Sequence, residues 1–375
     1  MSRLHDLYEL QGQSPWLDNL RRDYLTGGHL ADLVENGIRG VTSNPTIFAK
    51  AIAGEDDYDE QFGQLLTDHS VEDAYWELVI TDIRDALRIL RPVHDASDGV
   101  DGYVSVEVAP SLAHDSQGTM IAARHLHERI NEPNVFVKIP ATTQGVDAIH
   151  TMIAEGHSIN VTLIFGLDRY ESVIEAYMSG LETYAANGAA DLSHVRSVAS
   201  FFISRVDTEV DQRIEALASQ DPSNAADLLA MRGRAAIAQA QRAYAIFLER
   251  FSGPRWEALA AKGAKVQRPL WASTSTKNPA YPDLAYVDNL IGPDTINTMP
   301  DQTVAAVIEH GKIARTVDAT LDEAQRVIDT LVRAGINFED VADTLENEGV
   351  ASFSKSFDEL IAALTDKSIS MNAAR

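Results

Sequence analysis

Lys138 interrupts an otherwise apolar run, Val135-Phe136-Val137-Lys138-Ile139, and alternation along an extended chain sets it on the face opposite three aliphatics. A lysine amine attacks a carbonyl carbon only when neutral, so an ordinary pKa of about 10.4 must be lowered by desolvation or by nearby cations. An apolar strand environment supplies the desolvation. Making and using an imine also needs one group to shuttle protons while the carbinolamine loses water. A second must take a hydroxyl proton when a carbon-carbon bond breaks. Glu107 and Asp18 offer two carboxylates for those two roles, and the amides of Asn44 and Asn160 can hold sugar hydroxyls.

These residues fall on segments that read as strands with polar stripes. In Tyr103-Val104-Ser105-Val106-Glu107-Val108 the valines share one face, and Ser105 and Glu107 the other. Ser158, Asn160 and Thr162 oppose Ile159, Val161 and Leu163 in the same way, and in a sixth run Ser200 and Ser204 share a face opposite Phe201 and Ile203. Asp18 ends a first run, while Thr42 and Asn44 end or follow a second. Strands of a parallel sheet buried on both faces are normally apolar throughout. Taken singly, a lysine near a strand end is usually a snorkelling surface charge, and Asn in Ser43-Asn44-Pro45 is ordinary turn chemistry. Together they would be costly to bury without a shared role. A barrel resolves the conflict: aliphatics face surrounding helices, and polar residues converge inside, toward the C-terminal mouth.

Eight strands are predicted, at 15–18, 38–42, 103–108, 135–139, 158–164, 198–204, 268–273 and 295–298, with amphipathic helical stretches such as 71–90, 167–186 and 225–251 between them. Helices alone follow, including 301–310, 321–334 and 353–364. The expected architecture is an α/β (β/α)8 barrel, residues 1–375 forming one domain with a helical insert near 219–255 and C-terminal helices near 301–366.

Composition narrows the chemistry further. Among 375 residues there is no cysteine, which removes disulfides, thiolate metal sites and a cysteine nucleophile. A formal charge of −25 opposes nucleic-acid binding and requires any anionic substrate to be caught by locally placed cations. No dinucleotide or P-loop glycine motif, no G-x-S-x-G and no H-E-x-x-H occurs, and His125 and His127 are too close in sequence to share a helix face. Nucleotide-binding readings thereby lose their main support, and a zinc-dependent aldolase is disfavoured. No apolar stretch is long enough for a membrane span and the first residues lack a signal-peptide pattern, so the expected location is the cytoplasm.

With those residues in place, the sequence closely resembles transaldolases. Gly40-Val41-Thr42-Ser43-Asn44-Pro45-Thr46-Ile47-Phe48 is similar to the family's first signature, and Asn134 through Thr142 with Gly145 to the second. Ile159 to Phe165 and Val106-Glu107-Val108 match in order and spacing, and the resemblance runs from about Trp16 to Met299. It implies Lys138 as imine-forming nucleophile, Glu107 as acid/base through a water, Thr162 positioning that water, and Asp18 as base in carbon-carbon cleavage. It further implies Asn44 and Asn160 on the dihydroxyacetone portion with Ser204 nearby, and Arg205 and Lys277 as phosphate-binding cations, Lys277 standing where family members commonly have an arginine. The implied reaction moves a dihydroxyacetone unit from sedoheptulose 7-phosphate to glyceraldehyde 3-phosphate, giving erythrose 4-phosphate and fructose 6-phosphate, in the non-oxidative pentose phosphate pathway; the resemblance implies no metal or organic cofactor. Two other readings share these residues in part: a class I aldolase of the fructose 6-phosphate type, and a barrel that binds sugar phosphates without turning them over. The second of these has no use for two carboxylates beside a lysine.

Overall fold

The computed structural model describes residues 2–54 and 56–373. Eight parallel strands close into a barrel in sequence order: β1 Gln13–Leu17, β2 Gly40–Thr42, β3 Tyr103–Glu107, β4 Val135–Pro140, β5 Ile159–Ile164, β6 Ser197–Phe202, β7 Arg268–Ala272 and β8 Thr295–Met299. This is the expected (β/α)8 class. Val41, Val104, Val106, Val137, Ile139, Ile159 and Val161 are all at most 1% exposed, packed outward against the helical layer. Each such aliphatic contributes about 1.5–3 kcal/mol on burial, which fixes which face of every strand points inward.

The interior fills in layers. At the N-terminal end Asp101 accepts hydrogen bonds from Ser14 (2.7 Å), Trp16 (3.2 Å), Arg39 (2.8 Å) and Arg268 (3.0 Å). Burial alone would raise its pKa, but Arg268 and Arg39 hold it below the ordinary value. Above this plug, Tyr103 stacks on Phe136 at 4.1 Å between ring centres, with Trp16 at 6.3 Å on the other side. Gly40 is required beside Trp16, because a Cβ there would stand 2.3 Å from the indole. Next, Asn160 donates to Ser105 (3.0 Å) and accepts from Ser200 (2.7 Å). Only above Asn160 does the barrel open.

The helical layer departs from the sequence expectation in two places. The stretch 225–251 is not one helix: it breaks into Ala225–Leu229 and Ala235–Arg250, with Gly233 at φ +71° turning between them. The segment 353–364 belongs to a single 36-residue helix, Phe338–Ala373. Gly349 lies within that helix against the barrel, where a Cβ would approach Leu163 Cδ2 to 3.1 Å. Small size, rather than a bend, is what the position uses. Among the described residues no helix is long and apolar enough to cross a membrane.

Candidate active site

Lys138 sits in β4 paired with Glu107 of β3, so the two side chains emerge side by side from adjacent strands. Nζ lies 3.2 Å from Glu107 Oε2 and donates to the Ser43 carbonyl at 3.0 Å. Both residues are almost fully buried, at 5% and 7% exposure. Burial pushes the Glu107 carboxyl above its ordinary value, against the opposing pull of Lys138; Asp18 adds to the rise. Apart from the ammonium, no donor among the described residues satisfies Glu107 Oε2, and Thr162 Oγ1 is likewise buried without a partner. A buried carboxylate oxygen with only the ammonium for a partner among the described residues, and a buried hydroxyl with none, are costly unless something passes between them.

Asp18 follows β1, anchored by its backbone N–H on the Met299 carbonyl. Its carboxylate accepts from Thr42 Oγ1 at 2.7 Å, and Thr42 in turn receives the hydroxyl of Thr298, also at 2.7 Å. Burial raises the Asp18 pKa, and this outweighs the lowering by Thr42, Lys138 and Lys277. Two carboxylates, both held above the usual range, therefore flank one lysine.

These groups open on a polar cavity of about 340 Å³ at the C-terminal mouth, lined by Asp18, Thr42, Asn44, Lys138, Thr162, Arg205 and Lys277 among others. Of the residues singled out from sequence, Glu107 sits just beside this cavity against Lys138, and Asn160 lies beneath it with both ends of its amide engaged. Ser204 requires a correction. It is not on β6, which ends at Phe202, but opens the helix Ser204–Gln220, where its hydroxyl meets Ser273 at 2.9 Å. Ser200, two turns of alternation earlier, is the β6 serine that faces the cavity. Asn44 caps the helix Pro45–Gly54 by accepting from Ile47 N at 3.0 Å, while lining the mouth.

Arg205 leans over the Phe202 ring at 5.8 Å from its centre, and burial lowers its pKa against the influence of Glu348. Lys277 stands at the solvent edge, its ammonium lowered by partial burial and then by Arg205 and Lys50. Those three cations line the same mouth, a local positive patch on a strongly acidic chain. Lys50, Ser200, Ser352 and Phe353 were not singled out from sequence as binding residues. Lys50 comes from the helix Pro45–Gly54, and Ser352 and Phe353 arrive from the C-terminal helix as it crosses the mouth.

The backbone is unusual at two points around this cavity. Leu163 adopts φ 58° where the β5–β6 register shifts, and Ser273 adopts φ 56° just after β7. Left-handed leucine is rare and costs of order 1–3 kcal/mol, and such strain collects at functional sites. Among the described residues no group of three or more His, Asp or Glu side chains is arranged to hold a metal.

Over residues 15–364 the sequence matches the family described as Transaldolase/Fructose-6-phosphate aldolase. A protein named Transaldolase from Acidothermus cellulolyticus is 49% identical over 357 residues, covering 94% of each chain. One from Frankia alni is 48% identical over 359 residues with 95% of each covered, and one from Thiobacillus denitrificans 46% over 355 residues, covering 94% of this chain and 97% of its own.

Proposed function

Since the chain belongs to the transaldolase/fructose-6-phosphate aldolase family and functions as a transaldolase, we propose that Lys138 is the amine through which the ketone unit is transferred. The observation that carries this assignment is the contact of Nζ with Glu107 at 3.2 Å, in a cavity that Asp18 also lines.

The reaction follows from that arrangement. A proton moving from Nζ to Glu107, whose pKa burial raises, leaves a neutral amine that adds to the C2 carbonyl of a ketose phosphate. The carbinolamine hydroxyl takes a proton supplied by Glu107 and leaves as water, giving a protonated imine. Thr162 Oγ1 and Glu107 Oε2, both buried and without other partners, suit that water as it departs and when it returns for hydrolysis. Asp18 then removes the proton of the C4 hydroxyl; the C3–C4 bond breaks, its electrons flow into the imine, and an aldose phosphate leaves. The three-carbon enamine waits on Lys138 until an acceptor aldehyde enters, and the steps run in reverse. Thr42, by donating to Asp18, fixes the carboxylate that must make this abstraction.

Asn44 at the rim suits the hydroxyls of the three-carbon unit, with Ser200 lining the same cavity and oriented from below by Asn160. The opposite end of a phosphosugar carries its charge toward Arg205 and Lys277. Sedoheptulose 7-phosphate and fructose 6-phosphate as donors, with glyceraldehyde 3-phosphate and erythrose 4-phosphate as acceptors, fit this polarity.

Transfer, as opposed to simple aldol cleavage, requires the enamine to be shielded from water. The C-terminal helix provides cover: Ser352 and Phe353 line the mouth, and Ser356 accepts from Thr46 at 2.9 Å. Incubation with fructose 6-phosphate alone should release little free dihydroxyacetone, and adding erythrose 4-phosphate should produce sedoheptulose 7-phosphate and glyceraldehyde 3-phosphate. Rapid release of dihydroxyacetone without an acceptor would instead favour the aldolase reading.

A further inference from the structure

Two buried carboxylates lie outside the chemistry described so far. Asp207 and Asp211 are one helical turn apart on the helix Ser204–Gln220, at 1% and 8% exposure, and neither forms an ion pair among the described residues. Burying an aspartate without a cation is expensive, and burial indeed raises the pKa of both, Asp207 to about 6. One oxygen of each has an obvious structural use. Asp207 Oδ1 accepts from Ala236 N at 2.8 Å and Asp211 Oδ1 from Gly233 N at 2.9 Å, holding the start of the helix Ala235–Arg250.

The second oxygens go elsewhere. Tyr286 donates to Asp207 Oδ2 at 2.8 Å, and Tyr281 donates to Asp211 Oδ2 at 2.5 Å. Both tyrosines belong to the β7–β8 connection, residues 273–294, whose only regular element is the short helix Ala285–Asp288. That connection carries Lys277, and the helix bearing the two aspartates carries Arg205 in its first turn. A third tie closes the near end, where Ser204 N donates to the Ser273 carbonyl at 3.0 Å. The seat of Tyr281 is shaped by Gly233, which lies under its ring at φ +71°; a Cβ there would stand 2.8 Å from Cζ.

Near its start the connection is pinned by Thr274 on the Thr298 carbonyl at 3.1 Å, and Lys277 Nζ donates to Ser275 at 2.8 Å; the stretch beyond Lys277 has the two tyrosines as its anchors and without them would keep much of its conformational entropy. We propose that Asp211 and Asp207, acting through Tyr281 and Tyr286, are positioning residues that hold Lys277 against Arg205 and so set the preference for phosphorylated over unphosphorylated sugars. This rests on the phosphate-binding reading of Arg205 and Lys277 given above. The tyrosine hydroxyls satisfy the second carboxylate oxygens, so each aspartate ties the connection to the start of the next helix through one side chain.

The test is a double-mutant cycle of Tyr281→Phe with Lys277→Gln, reading kcat and KM for erythrose 4-phosphate and for unphosphorylated erythrose as acceptors. Tyr281→Phe removes one hydroxyl and keeps the ring. It should raise KM for erythrose 4-phosphate about tenfold while kcat and the erythrose reaction change less than about twofold. In the Lys277→Gln background it should add no further increase, because its effect runs through that lysine. Asp211→Asn, which keeps an acceptor for Gly233 and offers the tyrosine oxygen a donor, should show a smaller rise. Equal losses for both acceptors, or a full additional loss in the Lys277→Gln background, would overturn the positioning role. If Lys277→Gln itself left phosphate preference untouched, the phosphate reading would fall first, and the positioning proposal with it.

Discussion

Replacing Glu107 by Gln separates what the carboxylate does for chemistry from what it does for the fold. The side chain keeps its volume and an acceptor oxygen, so packing against β4 survives. Two things are lost. Without a group able to hold and return a proton, carbinolamine formation and dehydration slow, and general acid/base groups typically contribute about 100- to 10,000-fold, or ~3–5.5 kcal/mol of barrier. The ion pair with Lys138 also disappears. Unit charges 3.2 Å apart interact by about 5 kcal/mol at an effective dielectric of about 20, though desolvation of both partners offsets much of that. Removing one partner of a buried pair costs about 3–5 kcal/mol when the other stays charged. The expected outcome is kcat down by about 1,000-fold with KM changed less than about threefold, and a folded protein melting several degrees lower. A coupled assay of fructose 6-phosphate and erythrose 4-phosphate transfer, paired with thermal denaturation, reads both. Wild-type kcat within tenfold in a folded E107Q protein would refute the acid/base assignment.

Thr42→Val removes the hydroxyl that stabilises the Asp18 carboxylate, so the Asp18 pKa should rise further and the acid limb of the kcat profile move to higher pH; a limb that stays or moves down contradicts Asp18 as the cleavage base. Gly40→Ala should destabilise by about 3 kcal/mol or more, because its Cβ would fall 2.3 Å from Trp16 in a packed barrel, and calorimetry showing an unchanged melting temperature would mean the indole can move. His127 stacks on His157 at 4.5 Å, and burial lowers its pKa to about 3. Its folded pKa thus lies below an unfolded value near about 6.5, so full stability is present above that pH and is lost as pH falls toward 3, at up to about 1.4 kcal/mol per unit. Chemical denaturation at pH 7 and pH 5 should show this loss, and His127→Gln should shrink the difference; an undiminished difference would assign it to other groups.

The barrel was legible because its polar stripes contradicted its own strands. Ser105, Glu107, Lys138, Asn160 and Thr162 are inexplicable on an open sheet and natural in a closed one, and the structure brings them to one interior. Alternation gives the face but not where a strand stops. Ser204 keeps the parity of Ser200, yet Ile203 already leaves extended geometry at φ −102°, ψ −71°, which turns Ser204 out of the cavity toward Ser273. The Asp101 plug was hidden for a different reason: Ser14, Arg39, Asp101 and Arg268 lie on separate strands and loops, and nothing local marks them as partners. Lys50 and Phe353 depend on which way whole helices cross the mouth, a tertiary property. The helix Phe338–Ala373 runs well beyond the 353–364 stretch read from sequence, and Gly349 within it packs against Leu163.

The central claim is that one lysine carries the three-carbon unit between sugars, and covalent trapping addresses it directly. The protein is incubated with fructose 6-phosphate, reduced with borohydride, digested and mapped by mass spectrometry. The expected result is a single three-carbon adduct on Lys138 that vanishes when erythrose 4-phosphate is added before reduction. An adduct on another lysine, or none from a protein that turns over the same substrate, would contradict it.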